Sequence, residues 1–230
     1  MIPIMSPSAL VLCSGGQDST TCVAWAKDRF MTIHTVAFDY QQRHRIELDA
    51  AARVSQILGA ASHRVIPVDS LADLGGSALT SSEAVADGVR PSTGLPNTFV
   101  PGRNLVFLTL AAAYAYQLGI HDLVTGVCQT DFAGYPDCRQ SAIDAVAQSI
   151  RIGMDYPVTI HTPLMNLSKV ETVRLAVDLN AQEALSWSHT CYNGQVPPCG
   201  RCPSCQIRAK GFADAGVTDP LLERLGVSLA

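Results

Sequence analysis

The spacing of apolar positions along the chain switches repeatedly between the period of a strand and that of a helix. Ala9 to Cys13 is a short apolar run leading into paired glycines, and Ser19 to Phe30 then carries Val23, Ala24 and Trp25 over a helical length. A β-branched run from Thr32 to Phe38 reads as a second strand. Behind it, Ile46, Ala50, Val54, Ile57 and Leu58 share one helical face, with Gly59 as the natural stop. His63 to Val68 is a third strand. The stretch from Asp69 to Val100 is rich in Ser, Gly, Thr and Pro and too long for an ordinary connection, so it is expected to border a functional site. The alternation resumes with a helix at Leu105 to Leu118, a strand at Asp122 to Val127, a helix from Arg139 to Ile152 and a strand at Val158 to His161. Ser168 and Glu171 carry the Ser-x-x-Glu signature of a capping box and open a last helix to Asn180.

Repeated strand and helix units predict an α/β fold, a doubly wound parallel sheet of five strands with helices on both faces. Ligands of such sheets bind outside the carboxyl ends of the strands. The composition changes at Ser186, which divides the chain into an α/β domain, 1–185, and a C-terminal metal-binding and helical segment, 186–230.

Composition narrows this picture. A chain of 230 residues, 47% hydrophobic and 16% charged, holds one α/β domain with a sizeable core. Met1 to Ser8 contains Pro3 and Pro7 and no basic cluster, so it does not read as a secretory signal. The Leu105 to Leu118 run is interrupted by Thr109 and Gln117 and falls short of the ~20 apolar residues of a membrane span, so it reads as a buried helix. A net charge of -4 argues against direct binding of nucleic acid, whose affinity rests on phosphate neutralisation. No membrane partner is expected, and the compartment expected is the cytoplasm, where thiols stay reduced.

Ser14-Gly15-Gly16-Gln17-Asp18-Ser19 lies between the first strand and the first helix. Two glycines let the backbone turn sharply and approach a ligand, and the helix start supplies N–H groups suited to an anion such as pyrophosphate. Ser14 and Ser19 add hydroxyl donors. Asp18 either holds Mg²⁺ against the phosphates or caps the helix. The loop has neither the lysine of the Walker motif nor the G-x-G-x-x-G of dinucleotide binders. As a bare string it is also compatible with a plain turn; its position directly after the first strand favours the phosphate reading.

Cys191, Cys199, Cys202 and Cys205 are spaced C-x7-C-x2-C-x2-C among Gly194, Pro197, Pro198 and Gly200. Four thiolates in tetrahedral array suit a closed structural Zn²⁺ site; an iron–sulfur cluster is the rival, and a redox C-x-x-C would leave two cysteines unexplained. Cys13, Cys22, Cys128 and Cys138 have no metal-like spacing and read as small buried hydrophobes, with Cys138 alone kept as a candidate for a chemical role. His189 reads as a hydrogen-bonded neighbour of the metal loop, outside the catalytic set.

Three further stretches bring polar and aromatic groups to the expected ligand edge: Phe38 to His44, Pro96 to Asn104 and Thr130 to Arg139. Phe and Tyr for stacking, with Asp, Asn and Arg for hydrogen bonds, suit a flat heteroaromatic ring bearing a carboxylate.

The Ser-Gly-Gly-x-Asp-Ser loop resembles that of the N-type ATP pyrophosphatases, a superfamily that activates an acceptor by adenylation. Taken with the four cysteines and the three polar stretches, almost the whole chain resembles the 7-cyano-7-deazaguanine synthase family, with the motifs in the family's order. The resemblance implies a fold of the adenine-nucleotide alpha-hydrolase type and a homodimer. It implies ATP contacts by Ser14, Gly15, Gly16, Gln17, Asp18, Ser19 and Thr20, with Ser14, Asp18 and Ser19 acting in catalysis. Substrate contacts fall to Arg103, Asn104, Asp131, Tyr135, Asp137 and Arg139, and the four cysteines hold structural zinc. ATP with Mg²⁺, 7-carboxy-7-deazaguanine and ammonia are the implied reactants, and the product is the 7-cyano base used for queuosine. The family's pattern has Gly where Gln41 stands; a left-handed backbone there costs a side-chain-bearing residue roughly 1 kcal/mol. Two other functions remain open at this point: a tRNA sulfurtransferase using Cys128 or Cys138, and a zinc-ribbon binding module without catalysis.

Overall fold

The computed structural model describes residues 6–129 and 134–227. Five strands, β1 (Ser6–Leu12), β2 (Phe30–Asp39), β3 (Ser62–Pro67), β4 (Asp122–Val124) and β5 (Thr159–His161), form one sheet in the order β3-β2-β1-β4-β5. Every neighbouring pair is parallel. The connecting helices are α1 (Gln17–Lys27), α2 (Ile46–Ile57), α3 (Ser70–Asp73), α4 (Arg103–Leu118), α5 (Gln140–Met154) and α6 (Lys169–Asp178). Then follow α7 (Gln182–Trp187), α8 (Pro203–Ala215) and α9 (Pro220–Leu225). No helix among the described residues is long and apolar enough to cross a membrane.

The period of two in β1 explains why helices cover both faces. Ala9 and Val11 point into one core with Val23 of α1, Val54 of α2 and Val173 of α6, whereas Leu10 points into the other with Leu108 of α4 and Ile143 of α5. The doubly wound arrangement expected from the alternation is therefore present. Because the chain runs outward in opposite directions from β1 and β4, a crevice opens between their carboxyl ends.

Element limits differ from the sequence expectation where the deciding contact is distant. Phe30 starts β2 rather than ending α1: it pairs with Ser6 of β1 and packs near Trp25, with ring centroids 6.3 Å apart. Helix α4 begins at Arg103, since the Asp137 carboxylate accepts the Asn104 N–H at 3.0 Å and acts as a cap from another segment. Strand β4 ends at Val124, and its last ladder bond runs from Thr125 N–H to the His161 carbonyl of β5 at 3.0 Å. The capping box is formed as written in the sequence, Ser168 and Glu171 each accepting the other's backbone N–H.

The C-terminal helices are fixed by one buried charge. Arg208 of α8 donates to both oxygens of Asp219 at 2.7 and 2.8 Å and to the Ser188 hydroxyl at 2.8 Å, while Asp219 also caps α9 through Leu221 N–H. A bidentate, fully partnered pair of this kind specifies geometry, and loss of one member would strand the other in the interior.

Candidate functional site

The crevice is a cavity of about 290 Å³ at the carboxyl ends of β1, β2 and β4. Its floor is the loop after β1. Gly15 has φ of +89°, and a Cβ there would lie 2.2 Å from the Glu47 carbonyl oxygen and 2.6 Å from Ala51 N, so only glycine lets this loop lie against α2. Gly16 is the N-cap of α1 and brings no side-chain cap, which leaves the first-turn N–H groups without partners inside the helix. Ser14, Gly16, Gln17, Asp18 and Ser19 line the cavity around them. The Ser14 hydroxyl accepts Gly16 N–H at 3.3 Å and the Ser19 hydroxyl accepts Gly15 N–H at 3.2 Å, which fixes the turn. Gly15 and Thr20 stand behind this surface: the Thr20 hydroxyl is buried and donates to the Gly16 carbonyl at 2.8 Å. Backbone N–H groups and hydroxyls converging at a helix start make a nest for an anion.

Asp18 does not cap α1. Its carboxylate is gripped by Lys169 Nζ at 2.8 and 2.9 Å, and both side chains line the cavity. Lys169, the first residue of α6, had no signal in the sequence beyond following the capping-box serine, and the capping box is what aims it.

The opposite wall is aromatic. Arg103 lines it beneath Tyr40 and Tyr135, with its guanidinium 3.4 Å from the Tyr40 hydroxyl and 5.8 Å from the Tyr135 ring. Burial works against the Arg103 charge, yet Tyr40, Tyr135 and Asp137 together hold its pKa above the usual arginine value. Burial also raises Tyr40, which stays a neutral phenol. Phe107 stacks on Phe38 at 4.3 Å, giving the wall a flat surface. Asn104 borders the cavity and donates to Cys138 Sγ at 3.3 Å.

Of the residues expected to meet a substrate, Arg103, Asn104 and Tyr135 are thus brought together. Asp137 is buried and committed to Asn104 N–H, and Arg139 is the exposed N-cap of α5; neither lines the cavity. Asp131 lies outside the described residues. The 69–100 stretch backs the site without lining it, through Thr98, whose hydroxyl meets Tyr135 Oη at 2.6 Å. Gln41 has φ of +57°, the left-handed backbone that favours glycine. Besides Lys169, the sequence reading missed Glu47, Phe107 and Tyr192 as lining residues. Cys13 is buried and its thiol is pushed up to about 11, so it borders the loop as a protonated, inert group.

The sulfur atoms of Cys191, Cys199, Cys202 and Cys205 all lie within 4.8 Å of one another, and Cys199 and Cys205 are 3.9 Å apart. Tetrahedral ligation at zinc–thiolate distances requires sulfurs about 3.8 Å apart, a spacing near that of this cluster, which could hold a metal ion. Cys202 N–H and Asn193 Nδ2 point at Cys199 Sγ at 3.4 and 3.5 Å, as donors to a thiolate do. The cluster is coupled to the cavity floor: His189 N–H, two residues before Cys191, donates to the Gly15 carbonyl at 2.8 Å, and Thr190 and Tyr192 line the cavity. The His189 ring is buried, which lowers its pKa, and it does not line the cavity.

Fold and site together define a parallel α/β protein with a glycine loop at its switch point whose N–H groups suit an anion, and a four-cysteine cluster that could hold a metal ion. The family described as Queuosine biosynthesis protein QueC matches residues 8–216, and the chain belongs to that family. It is 60% identical over 219 residues to a 7-cyano-7-deazaguanine synthase of Chromobacterium violaceum, covering 94% of this chain and 93% of that protein. A protein of the same name from Laribacter hongkongensis is 55% identical over 94% of this chain and 95% of its own length. One from a Bradyrhizobium species is 47% identical over 89% of this chain and 93% of its own.

Proposed function

We propose that this protein is an ATP-dependent ligase that converts 7-carboxy-7-deazaguanine and ammonia to 7-cyano-7-deazaguanine. The observation that carries the reading is a single cavity joining a phosphate-type glycine loop to an aromatic wall with a buried arginine, in a chain whose family relatives bear that enzyme's name. The family does not favour the sulfurtransferase alternative.

A carboxylate is a poor acyl donor until one of its oxygens carries a good leaving group. In this reading the substrate carboxylate attacks the α-phosphorus of ATP and pyrophosphate departs. The first-turn N–H groups of α1 and the hydroxyls of Ser14 and Ser19 meet the charge that develops on the phosphates, while Gly15, Gly16, Gln17 and Thr20 shape the nest. Mg²⁺ arriving with the nucleotide supplies further charge neutralisation, with Asp18 as the cavity carboxylate able to reach it. Lys169 compensates Asp18 and offers its ammonium to the same phosphates. Ammonia then displaces AMP to give the amide. A second adenylation, on the amide oxygen, lets that oxygen leave with AMP as the nitrogen loses its two protons, which yields the nitrile. Arg103 pairs with the substrate's carboxylate edge, and Tyr135, Phe107 and Asn104 hold its ring.

We assign zinc to the four cysteines as a closed, structural ion with no part in the chemistry. The division into a catalytic portion, 1–185, and a metal-binding portion, 186–230, follows the same reading, as do a homodimer and a cytoplasmic setting. The test is incubation with MgATP, ammonium and the carboxy base, with the base followed by mass spectrometry and the nucleotide by chromatography. Nitrile with AMP and pyrophosphate is expected. ADP with phosphate, or turnover that requires tRNA, would reject the reading.

A further inference from the structure

Two carboxylates among the described residues line the cavity, Asp18 and Glu47. Asp18 is already neutralised by Lys169. Glu47, in the first turn of α2, has a different environment: its one ion-pair partner among the described residues is His44 Nε2 at 3.2 Å. The arginines on either side of His44 in sequence are turned elsewhere, Arg43 to the carbonyls of Ser81 and Glu83 and Arg45 to Asp39. Only 12% of the Glu47 side chain is exposed, and 4% of His44. The contact with His44 Nε2 holds the carboxylate in one orientation at the edge of the cavity.

The location is as telling as the charge. The backbone of Glu47 touches the phosphate loop, since its carbonyl oxygen blocks any Cβ at Gly15. Its carboxylate also lies within electrostatic reach of Tyr40 and Tyr192, whose rings stand on the aromatic wall. A sheltered anion between a phosphate nest and electron-rich rings suits a small cation with N–H donors.

We propose that Glu47, positioned by His44, binds ammonium and removes its proton, delivering ammonia to the carboxyl carbon activated at the glycine loop. The inference rests on the ligase reading and adds to it the site of the second substrate. One N–H bond of ammonium breaks and its proton passes to the Glu47 carboxylate. The nitrogen lone pair then forms the C–N bond, the bond from carbon to the AMP oxygen breaks with its electron pair on the phosphate, and a second proton leaves the nitrogen for water.

The test uses the full chain with its metal. Pyrophosphate exchange into ATP, dependent on the carboxy base, reports adenylation without ammonium; amide and nitrile formation against ammonium concentration reports the next step. Glu47→Gln is expected to raise KM for ammonium about tenfold or more at neutral pH while exchange falls less than about threefold. His44→Leu, which removes the ring nitrogen that holds the carboxylate, shifts KM in the same direction by less. Raising the pH supplies ammonia already deprotonated, so the ratio of the Glu47→Gln KM to the wild-type KM should narrow, whereas a purely structural defect leaves that ratio unchanged. The other titratable groups around Glu47 are His44 on its own segment, Cys13 after β1, Tyr40 after β2, and His189 and Tyr192 from the metal segment; a profile compared between the wild type and Glu47→Gln separates them from it. An ammonium KM within about threefold of wild type, or exchange and amide formation falling together, overturns the proposal. Should Glu47→Gln fail to fold, Glu47→Asp carries the same comparison. Absence of exchange in the wild type overturns the ligase reading itself and this inference with it.

Discussion

At the scale of single residues, two arginines that look equivalent in sequence part company in the fold. Arg103 sits in the cavity wall and Arg139 is an exposed helix cap. Arg103→Ala should therefore raise KM for the deazapurine about tenfold or more with little change in KM for ATP, and Arg139→Ala should leave both within about twofold. Steady-state kinetics against each substrate checks this; an effect confined to ATP would move Arg103 to the nucleotide. Gln41 offers a stability test, because it holds a φ of +57° and its amide donates only to the exposed Asp69 at 2.9 Å. Gln41→Gly is expected to raise unfolding free energy by roughly 0.5–1 kcal/mol, read from the denaturant midpoint. The glycine loop and the cysteine ligands were legible in the sequence because their requirements are local, a sharp backbone turn and a short ligand spacing. Asp137 was not, because its partner is a backbone N–H in another segment, and a carboxylate that caps a helix from afar carries the same letter as one that binds a ligand.

Secondary-structure elements carry the site's precision. The capping box places Lys169 at the first position of α6, so the cap and the Asp18 pair are mechanically linked. Ser168→Ala should cost about 1 kcal/mol of stability and also lower ATP turnover several-fold, whereas an ordinary surface cap would affect stability alone. The segment from Ser188 to Cys205 forms a second link, since His189 N–H holds the Gly15 carbonyl. Cys199→Ser, or stripping of the metal by a chelator, is expected to make this segment susceptible to protease and to reduce ATP turnover by about tenfold or more. Metal analysis with limited proteolysis checks the first effect; four reactive thiols in the native protein would contradict it. The start of α6 was readable because Ser168 and Glu171 lie three residues apart on the same turn. The start of α4 was not, because Asp137, distant in sequence, caps it.

For the whole molecule, the order of strands and helices follows from alternating apolar periods, and the crevice at the β1/β4 reversal follows from that order. How the 69–100 stretch packs did not follow. It is ordered by an internal contact, Asn97 donating to Glu83 at 3.0 Å, and by Arg43 reaching two of its carbonyls, and it braces Tyr135 from behind. The glycine loop and the aromatic wall line one cavity, and the proposed reaction activates the carboxylate by joining one of its oxygens to the α-phosphorus of ATP. Labelling the carboxylate of 7-carboxy-7-deazaguanine with ¹⁸O tests it most directly. With two adenylations, both oxygens leave the base attached to AMP, one from each, and the pyrophosphate stays unlabelled. Label appearing in inorganic phosphate, or released to water with unlabelled AMP, would contradict it.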